Sequence, residues 1–329
     1  MRTALVTAIG SFSGSIVLKT LKTSGFRTVA CDLHPGAWLA NCALADIFVQ
    51  APPASCKEAY LSFLRKLCIR ERVDFLLPLT DAEIDVLNDN RSWFAAHGVC
   101  LCLSPAQTVA LCRDKYRLAC FAAERGLAEI IPTARFADFT PASSSFPLLC
   151  KPVNGRSSQG IRILQNDRDW AYAAETVEPE RYIVQPYLSG EVVTVDVVRQ
   201  PDGARTIAVP RRELIRTPNG AGISVQVFSD AALEAQCARL ADALGVVGCV
   251  NFEFLRGTDG VYRLLECNPR FSGGAEFTVL AGYDCVHSHM QCFMGKEIEP
   301  NSAIRPVYLA RRYEAYITEA VRQQEEVPR

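Results

Sequence analysis

From residue 1 to about 104, short apolar runs alternate with stretches of helical period, an order that few architectures accommodate. Strands are expected near 3 to 9, 26 to 32, 73 to 79 and 98 to 103, with helices at 14 to 24, 56 to 71 and 82 to 96. That succession predicts a parallel sheet with crossover helices. At 329 residues and 49% hydrophobic content the chain can bury a sizeable core and form two or three domains, which excludes a disordered or fibrous chain.

Beyond Ser104-Pro105 the pattern changes. Helices at 105 to 112 and 114 to 125, with Asp114 placed to cap the second, precede a Pro/Ala/Ser-rich loop from Thr140 to Phe146. Strand Pro147 to Pro152, a Gly/Ser loop at Asn154 to Gly160, strand Ile161 to Gln165, a helix near 167 to 176 and strand Tyr182 to Leu188 complete a small α+β unit. From 189 the strands read as antiparallel: Val192 to Arg199 and Ala204 to Leu214 are joined at Pro201-Asp202-Gly203, followed by a helix at 230 to 244 and a hairpin. The expected units are therefore 1–104, 105–188 and 189–329.

The formal charge of −1, with both signs mixed throughout, leaves no global electrostatic case for nucleic acid or an anionic membrane. Fourteen scattered cysteines, without a Cys-x-x-Cys pair and largely in apolar runs, read as buried reduced thiols. With no charged leader ahead of the first strand and no run of 18 apolar residues, the expected location is cytoplasmic. Gly10-Ser11-Phe12-Ser13-Gly14 and Asp32 are reminiscent of a dinucleotide-binding turn, but the G-x-G-x-x-G spacing is absent, so NAD is a runner-up only.

The chemistry concentrates in the hairpin. Asn251 to Leu255 and Val261 to Asn268 flank the turn Gly257-Thr258-Asp259-Gly260. Glu266 and Asn268 share a face, and an even-numbered connecting loop would bring Glu253 onto it as well. Two carboxylates and an amide oxygen so placed suit Mg²⁺. An exposed hairpin ending in Asn-Pro is the bland alternative. Upstream, Lys151 ends an apolar strand directly before Asn154-Gly155-Arg156-Ser157-Ser158-Gln159-Gly160, whose backbone N–H groups and hydroxyls could face phosphate oxygens. It is not a Walker A loop, because the lysine precedes the glycines.

Five ordered blocks now align: Asp114-Lys115-Tyr116-Arg117; Phe146 to Pro152 with its loop; Ile183 to Glu191; Asn251 to Phe254; and Leu265 to Gly274. Over roughly 105 to 295 they resemble the ATP-grasp superfamily, in particular single-unit relatives of the carbamoyl phosphate synthetase large subunit. The resemblance implies an α/β parallel-sheet domain followed by an α+β ATP-grasp fold, two subdomains clasping ATP. It implies that Lys115 and Lys151 contact phosphates, that Ser157, Ser158 and Gly160 belong to a lid, and that Gln185, Pro186, Tyr187 and Leu188 form the hinge at the adenine. Glu253, Glu266 and Asn268 would hold one or two Mg²⁺ ions, with Mn²⁺ as the alternative, and Arg270 and Lys151 would serve phosphoryl transfer.

Relatives commonly place a ribose-binding Glu four residues before an acid. Counting back from Asp196 reaches Val192, so Glu191 is one residue out of step, which reverses the face unless a bulge intervenes. On the acceptor side, Arg211, Arg212 and Arg216 flank the Thr217 to Gly222 loop and, with Ser272 and Gly273, are candidates for a carboxylate. One of Arg211 and Arg212 would point inward and the other outward. Thr80-Asp81-Ala82-Glu83 could serve the amine, although a helix N-cap with an acidic first turn is slightly favoured. His287 and His289 lie two apart in a helix and are not expected to act as ligands or bases.

The function expected is ATP-dependent carboxylate-amine or ammonia ligation through an acyl phosphate, acting on small molecules. The alternatives are bicarbonate phosphorylation of the carbamoyl phosphate synthetase kind and a nucleotide-binding regulatory protein without turnover. Dimerisation through the N-terminal domain is a family-based expectation.

Overall fold

The computed structural model describes residues 1–142, 145–155, 159–218, 220–300 and 304–319. Strands β1 (Thr3–Val6), β2 (Arg27–Asp32), β3 (Ile47–Gln50), β4 (Phe75–Leu77) and β5 (Cys100–Leu101) form one sheet in the order β3-β2-β1-β4-β5. Every pairing in it is parallel. The central strands are apolar on both faces because helices cover both. Ala4 and Val6 belong to one core cluster with α1 (Gly14–Thr23), and Leu5 and Leu76 to another with α2 (Lys57–Glu71) and α3 (Asp81–Asn88).

The sequence reading misses β3, which is a half-buried edge strand with a weaker apolar signal. It also runs one helix from 82 to 96, where the chain forms α3 and α4 (Arg91–Ala96). Asn88-Asp89-Asn90 interrupts it, since short polar side chains compete for backbone groups; Asn90 Nδ2 donates to the Val86 carbonyl at 2.9 Å.

Helices α5 (Ala106–Cys112) and α6 (Lys115–Glu124) and strand β6 (Glu129–Ile130) follow. Asp114 caps α6 by accepting from the Arg117 N–H. A four-stranded sheet comes next, ordered β7-β10-β8-β9 from β7 (Ala134–Arg135), β8 (Leu148–Pro152), β9 (Arg162–Leu164) and β10 (Tyr182–Pro186), with α7 (Asp167–Thr176) packed on it.

The largest sheet runs β16-β13-β12-β11-β14-β15-β6. Its further strands are β11 (Glu191–Arg199), β12 (Thr206–Arg216), β13 (Gly222–Val227), β14 (Gly248–Arg256), β15 (Tyr262–Asn268) and β16 (Val307–Ala310). One face packs on α6 and α8 (Ala231–Ala243), through Val193, Val195, Val197, Phe252 and Phe254 against Leu118, Leu233 and Leu240. Helices α9 (Ala275–Leu280) and α10 (Cys285–Phe293) complete the fold. Although the sequence reading groups 105 to 188 together, α5, α6 and β6 lie with the large sheet: β6 pairs with β15, and Thr108 Oγ1 donates to the Leu244 carbonyl at 2.6 Å. Among the described residues, the chain after β16 is not helical.

All fourteen cysteines are free thiols. Among the described residues no helix is long and apolar enough to cross a membrane. Phe252 is fully buried between the large sheet and α8, so Phe252→Ala is expected to lower unfolding free energy by about 3–5 kcal/mol, read as a lower denaturant midpoint.

Candidate functional site

The other face of the large sheet carries two polar rows. Arg211, Thr194, Glu253 and Glu266 stand opposite one another across β12, β11, β14 and β15. Beside them run Asp196, Asn251 and Asn268. In Val193-Thr194-Val195-Asp196-Val197, strict alternation with both faces covered is the sequence signal for such a row.

A bulge aligns Glu253 with Glu266. The β14–β15 loop, Gly257 to Val261, holds five residues rather than an even number, so a regular ladder would set Glu253 opposite Leu265. Leu265 is instead the extra residue: Phe254 pairs with Leu264, but Glu253 pairs with Glu266. Leu264 and Cys267, three apart, consequently both reach the core, while Glu266 and Asn268 face a cavity of about 860 Å³.

Two carboxylates held opposite each other repel, and cations from separate elements offset this. Lys115, on the first turn of α6, places Nζ 3.0 Å from Glu266 Oε2 and donates to the Gly155 carbonyl at 2.8 Å. Arg216 Nη2 lies 3.4 Å from Glu253 Oε2. Burial and the Glu266 charge push Glu253 up to about 7. Burial also acts upward on Glu266, but Lys115 and Lys151 outweigh it and hold that carboxyl below its usual range. Lys151, on β8, is 7% exposed, and desolvation brings its ammonium down to about 8 despite Glu266. Asn268 Nδ2 donates to Glu266 Oε1 at 3.0 Å and to Asn251 Oδ1 at 3.3 Å.

Arg270 is held from the N-terminal sheet. Its Nε and Nη2 donate to Asp81 Oδ1 and Oδ2 at 3.2 and 3.0 Å. Thr80 and Glu83 form a reciprocal capping box on α3, and Tyr60 donates to Glu83 at 2.8 Å, so the N-cap expectation for this segment stands. Asp81 itself is committed to arginines. Arg113 supplies a second one, with Nη1 3.6 Å from Asp81 Oδ1, and pairs bidentately with Asp85 at 2.8 and 2.9 Å. Sequence reasoning offered the Asp81 segment for the amine or as a helix cap and missed its pairing with Arg270, and Arg113 altogether, because the Asp81–Arg270 pair spans 189 residues and carries no spacing signal.

Arg211 is the inward member of its pair and Arg212 the outward one. Arg211 is 1% exposed and donates to Asp196 at 2.7 Å, Glu213 at 3.1 Å and Ser272 at 2.9 Å, while Thr278 also donates to Asp196. Those bonds make Arg211 an internal brace, with one N–H on Nη2 left over at the cavity wall. Gly274 is needed beside it, since a Cβ there would lie 2.7 Å from Arg211 Nη2. Arg216, Ser272 and Gly273 line the cavity. Asn219, in the neighbouring loop, lies outside the described residues.

Glu191 and Arg212 stand on the far face, outside the cavity. β11 pairs with β14 without a register break from Glu191 to Arg199, so no bulge rescues the one-residue slip. Glu191 is 3.5 Å from Arg256 and 3.6 Å from Arg212, whose guanidinium lies over Phe228. Gln185, Pro186, Tyr187 and Leu188 also lie outside the cavity: Gln185 donates to Thr133 at 2.7 Å, and the Tyr187 and Leu188 side chains are exposed. Gly155 and Gln159 line it, and Gly160, at φ +74°, packs against Pro152 and Tyr182. Ser157 and Ser158 lie outside the described residues.

Asp32 accepts from the Gly10 and His34 N–H groups at 2.8 and 3.0 Å, so one oxygen shapes the first turn and the other the exit from β2. His289 is buried, accepts from the Cys249 N–H at 2.8 Å and is lowered to about 3 by desolvation, while His287 meets Ser24 at 3.2 Å. Neither histidine enters the cavity.

Residues 178–315 match the family described as ATP-grasp in the biosynthetic pathway with Ter operon, and residues 5–102 match the PylC-like N-terminal domain. Biotin carboxylase from Campylobacter jejuni superposes with a TM-score of 0.76 at 16% identity, covering 93% of this chain and 74% of that one. The biotin carboxylase domain of 2-oxoglutarate carboxylase from Hydrogenobacter thermophilus, described as a dimer with MgADP and bicarbonate, gives 0.77 at 17%, covering 94% and 73%. N5-carboxyaminoimidazole synthetase from Staphylococcus aureus gives 0.71 at 16%, covering 91% and 78%.

The raised Glu253 pKa has a defined consequence for stability. Between the unfolded value near 4.5 and the folded value of about 7 only the unfolded chain releases this proton, so stability falls as pH rises through that window. Glu253→Gln should therefore stabilise the metal-free protein at pH 8, by about 1–3 kcal/mol after screening by cavity water, and change it little at pH 4. Melting temperatures at the two pH values check this.

Proposed function

We propose that this chain, an ATP-grasp fold behind a PylC-like N-terminal domain, is an ATP-dependent ligase that joins a small carboxylate to an amine or ammonia. The observation that carries this reading is the convergence of Lys115, Lys151, Glu253, Glu266, Asn268 and Arg270 on one cavity.

The donor set fits Mg²⁺: hard carboxylate and amide oxygens, too few to enclose the ion, leave coordination positions for phosphate oxygens and water. Glu253, Glu266 and Asn268 would hold it, and it would supply neutralisation of phosphate charge. Lys151 and Lys115 supply positive charge at the triphosphate, and Arg270 faces the phosphoryl group in transfer. A substrate carboxylate oxygen attacks the γ-phosphorus, the bond to the ADP oxygen breaks, and an acyl phosphate forms. Nitrogen then attacks the acyl carbon, phosphate leaves, and the amide remains. Positioning and charge neutralisation suffice, with no protein nucleophile. The similar carboxylases make bicarbonate the simplest carboxylate to try.

A phosphate-release screen pairing carboxylic acids, bicarbonate included, with amino acids and ammonia tests the reading. Lys151→Ala and Glu266→Ala should each lower amine-dependent release by about 100-fold or more, and undiminished turnover in either would sink the proposal. Glu191→Ala, altered on the far face of β11, should leave MgATP affinity within about twofold, measured by isothermal titration.

A further inference from the structure

We propose that Asp81 is the positioning residue of Arg270, so that the N-terminal domain completes the phosphoryl-transfer centre; this role rests on the ligase reading above. Three observations converge on it.

The helix does not need this side chain, because Thr80 and Glu83 already cap α3. Asp81 is 3% exposed and aims both oxygens at a guanidinium 189 residues away. A buried ion pair of that kind is weak evidence for stability, because desolvation offsets much of the attraction; what it supplies is orientation.

The Arg270 donors are nearly all assigned. Nε and Nη2 go to Asp81, Nη1 to the Phe271 carbonyl at 3.1 Å, and Nη2 also lies 3.4 Å from Asn268 Oδ1. Of the five N–H groups of a guanidinium, one on Nη1 is left over, and Arg270 lines the cavity. Without Asp81 the plane would be held by one carbonyl and a long contact.

A neighbour of this carboxylate also reaches the loop after β8. Arg113, beside Asp81, donates through Nη2 to the Asn154 carbonyl at 3.3 Å, while Lys115 takes the Val153 carbonyl through its backbone N–H at 3.1 Å and the Gly155 carbonyl through Nζ at 2.8 Å. The root of this loop therefore meets the N-terminal domain through Arg113, which hydrogen-bonds Asp85 and lies 3.6 Å from Asp81.

The test is Asp81→Asn in the full chain, which removes the charge and keeps the shape, with Asp81→Glu as a second variant that keeps the charge and displaces it. Expected for Asp81→Asn is a drop in kcat for phosphate release of about 10–100-fold with MgATP affinity within about twofold, and for Asp81→Glu a smaller drop in kcat. Adding Asp81→Asn to Arg270→Ala should lower kcat no further, because the residue acts through Arg270. Unchanged kcat in Asp81→Asn, losses that add to those of Arg270→Ala, or a parallel loss of MgATP affinity and melting temperature would overturn the proposal and leave Asp81 as scaffold. Wild-type protein that binds no MgATP, or releases no phosphate with any acid and amine, would overturn the ligase reading and this role with it.

Discussion

The site depends on two glutamates made to face each other. Glu253 and Glu266 are direct cross-strand partners, an arrangement that repels unless cations are interposed, and the neighbouring elements meet that requirement. Lys115 arrives from α6, Lys151 from the four-stranded sheet, Arg216 from the end of β12, and Arg270 just past the end of β15. Four cationic side chains on four elements therefore converge where the hairpin concentrates negative charge. Electrostatics draws those elements together around a space that side chains do not fill.

A single extra residue enforces the opposition. Leu265 shifts the phase of β15 after Leu264, so that Leu264 and Cys267 both reach the apolar core while Glu266 and Asn268 face the polar cavity. The rest of the floor is rigid for a related reason. Arg211 is locked by Asp196, Glu213 and Ser272, which fixes β12, β11 and the segment before α9 relative to one another. Groups on such a floor vary little in position, which preorganised electrostatics requires.

Much of this was legible in residue order. Apolar runs alternating with helical periods suffice for the parallel sheet, because both faces of such a strand are buried and the hydrophobic signal is strong. The hairpin, the face shared by Glu266 and Asn268, and the opposed orientations of Arg211 and Arg212 follow from the period of two. The bulge was not legible, since one extra residue changes the register without changing composition. Nor was the Asp81–Arg270 pair: contacts that join domains depend on how the domains dock, and α3 advertises Asp81 only as a helix-start acid. The far-face position of Glu191 was legible as a discrepancy, and the unbroken β11 ladder resolves it. Gln185 to Leu188, expected at a hinge from the resemblance alone, lie outside the cavity, because a family pattern does not say where a segment passes between two sheets.

The link between Asp81 and Arg270 bears on how separable the parts of this chain are. The four-stranded sheet has its own core, but the cluster that contains Ala4, Val6 and α1 also takes in Val198, Ile207, Val209 and Val227 of the large sheet, so apolar packing already joins the N-terminal module to the rest. Arg270, which lines the same cavity as the two glutamates, likewise has its counterion on the first module. Cut from that module, it would be a mobile cation within reach of two carboxylates, free to fold onto them and occupy the ground meant for a ligand. A shortened chain would lose part of its core together with that counterion, so this site is inherited with the pair of domains rather than with either one.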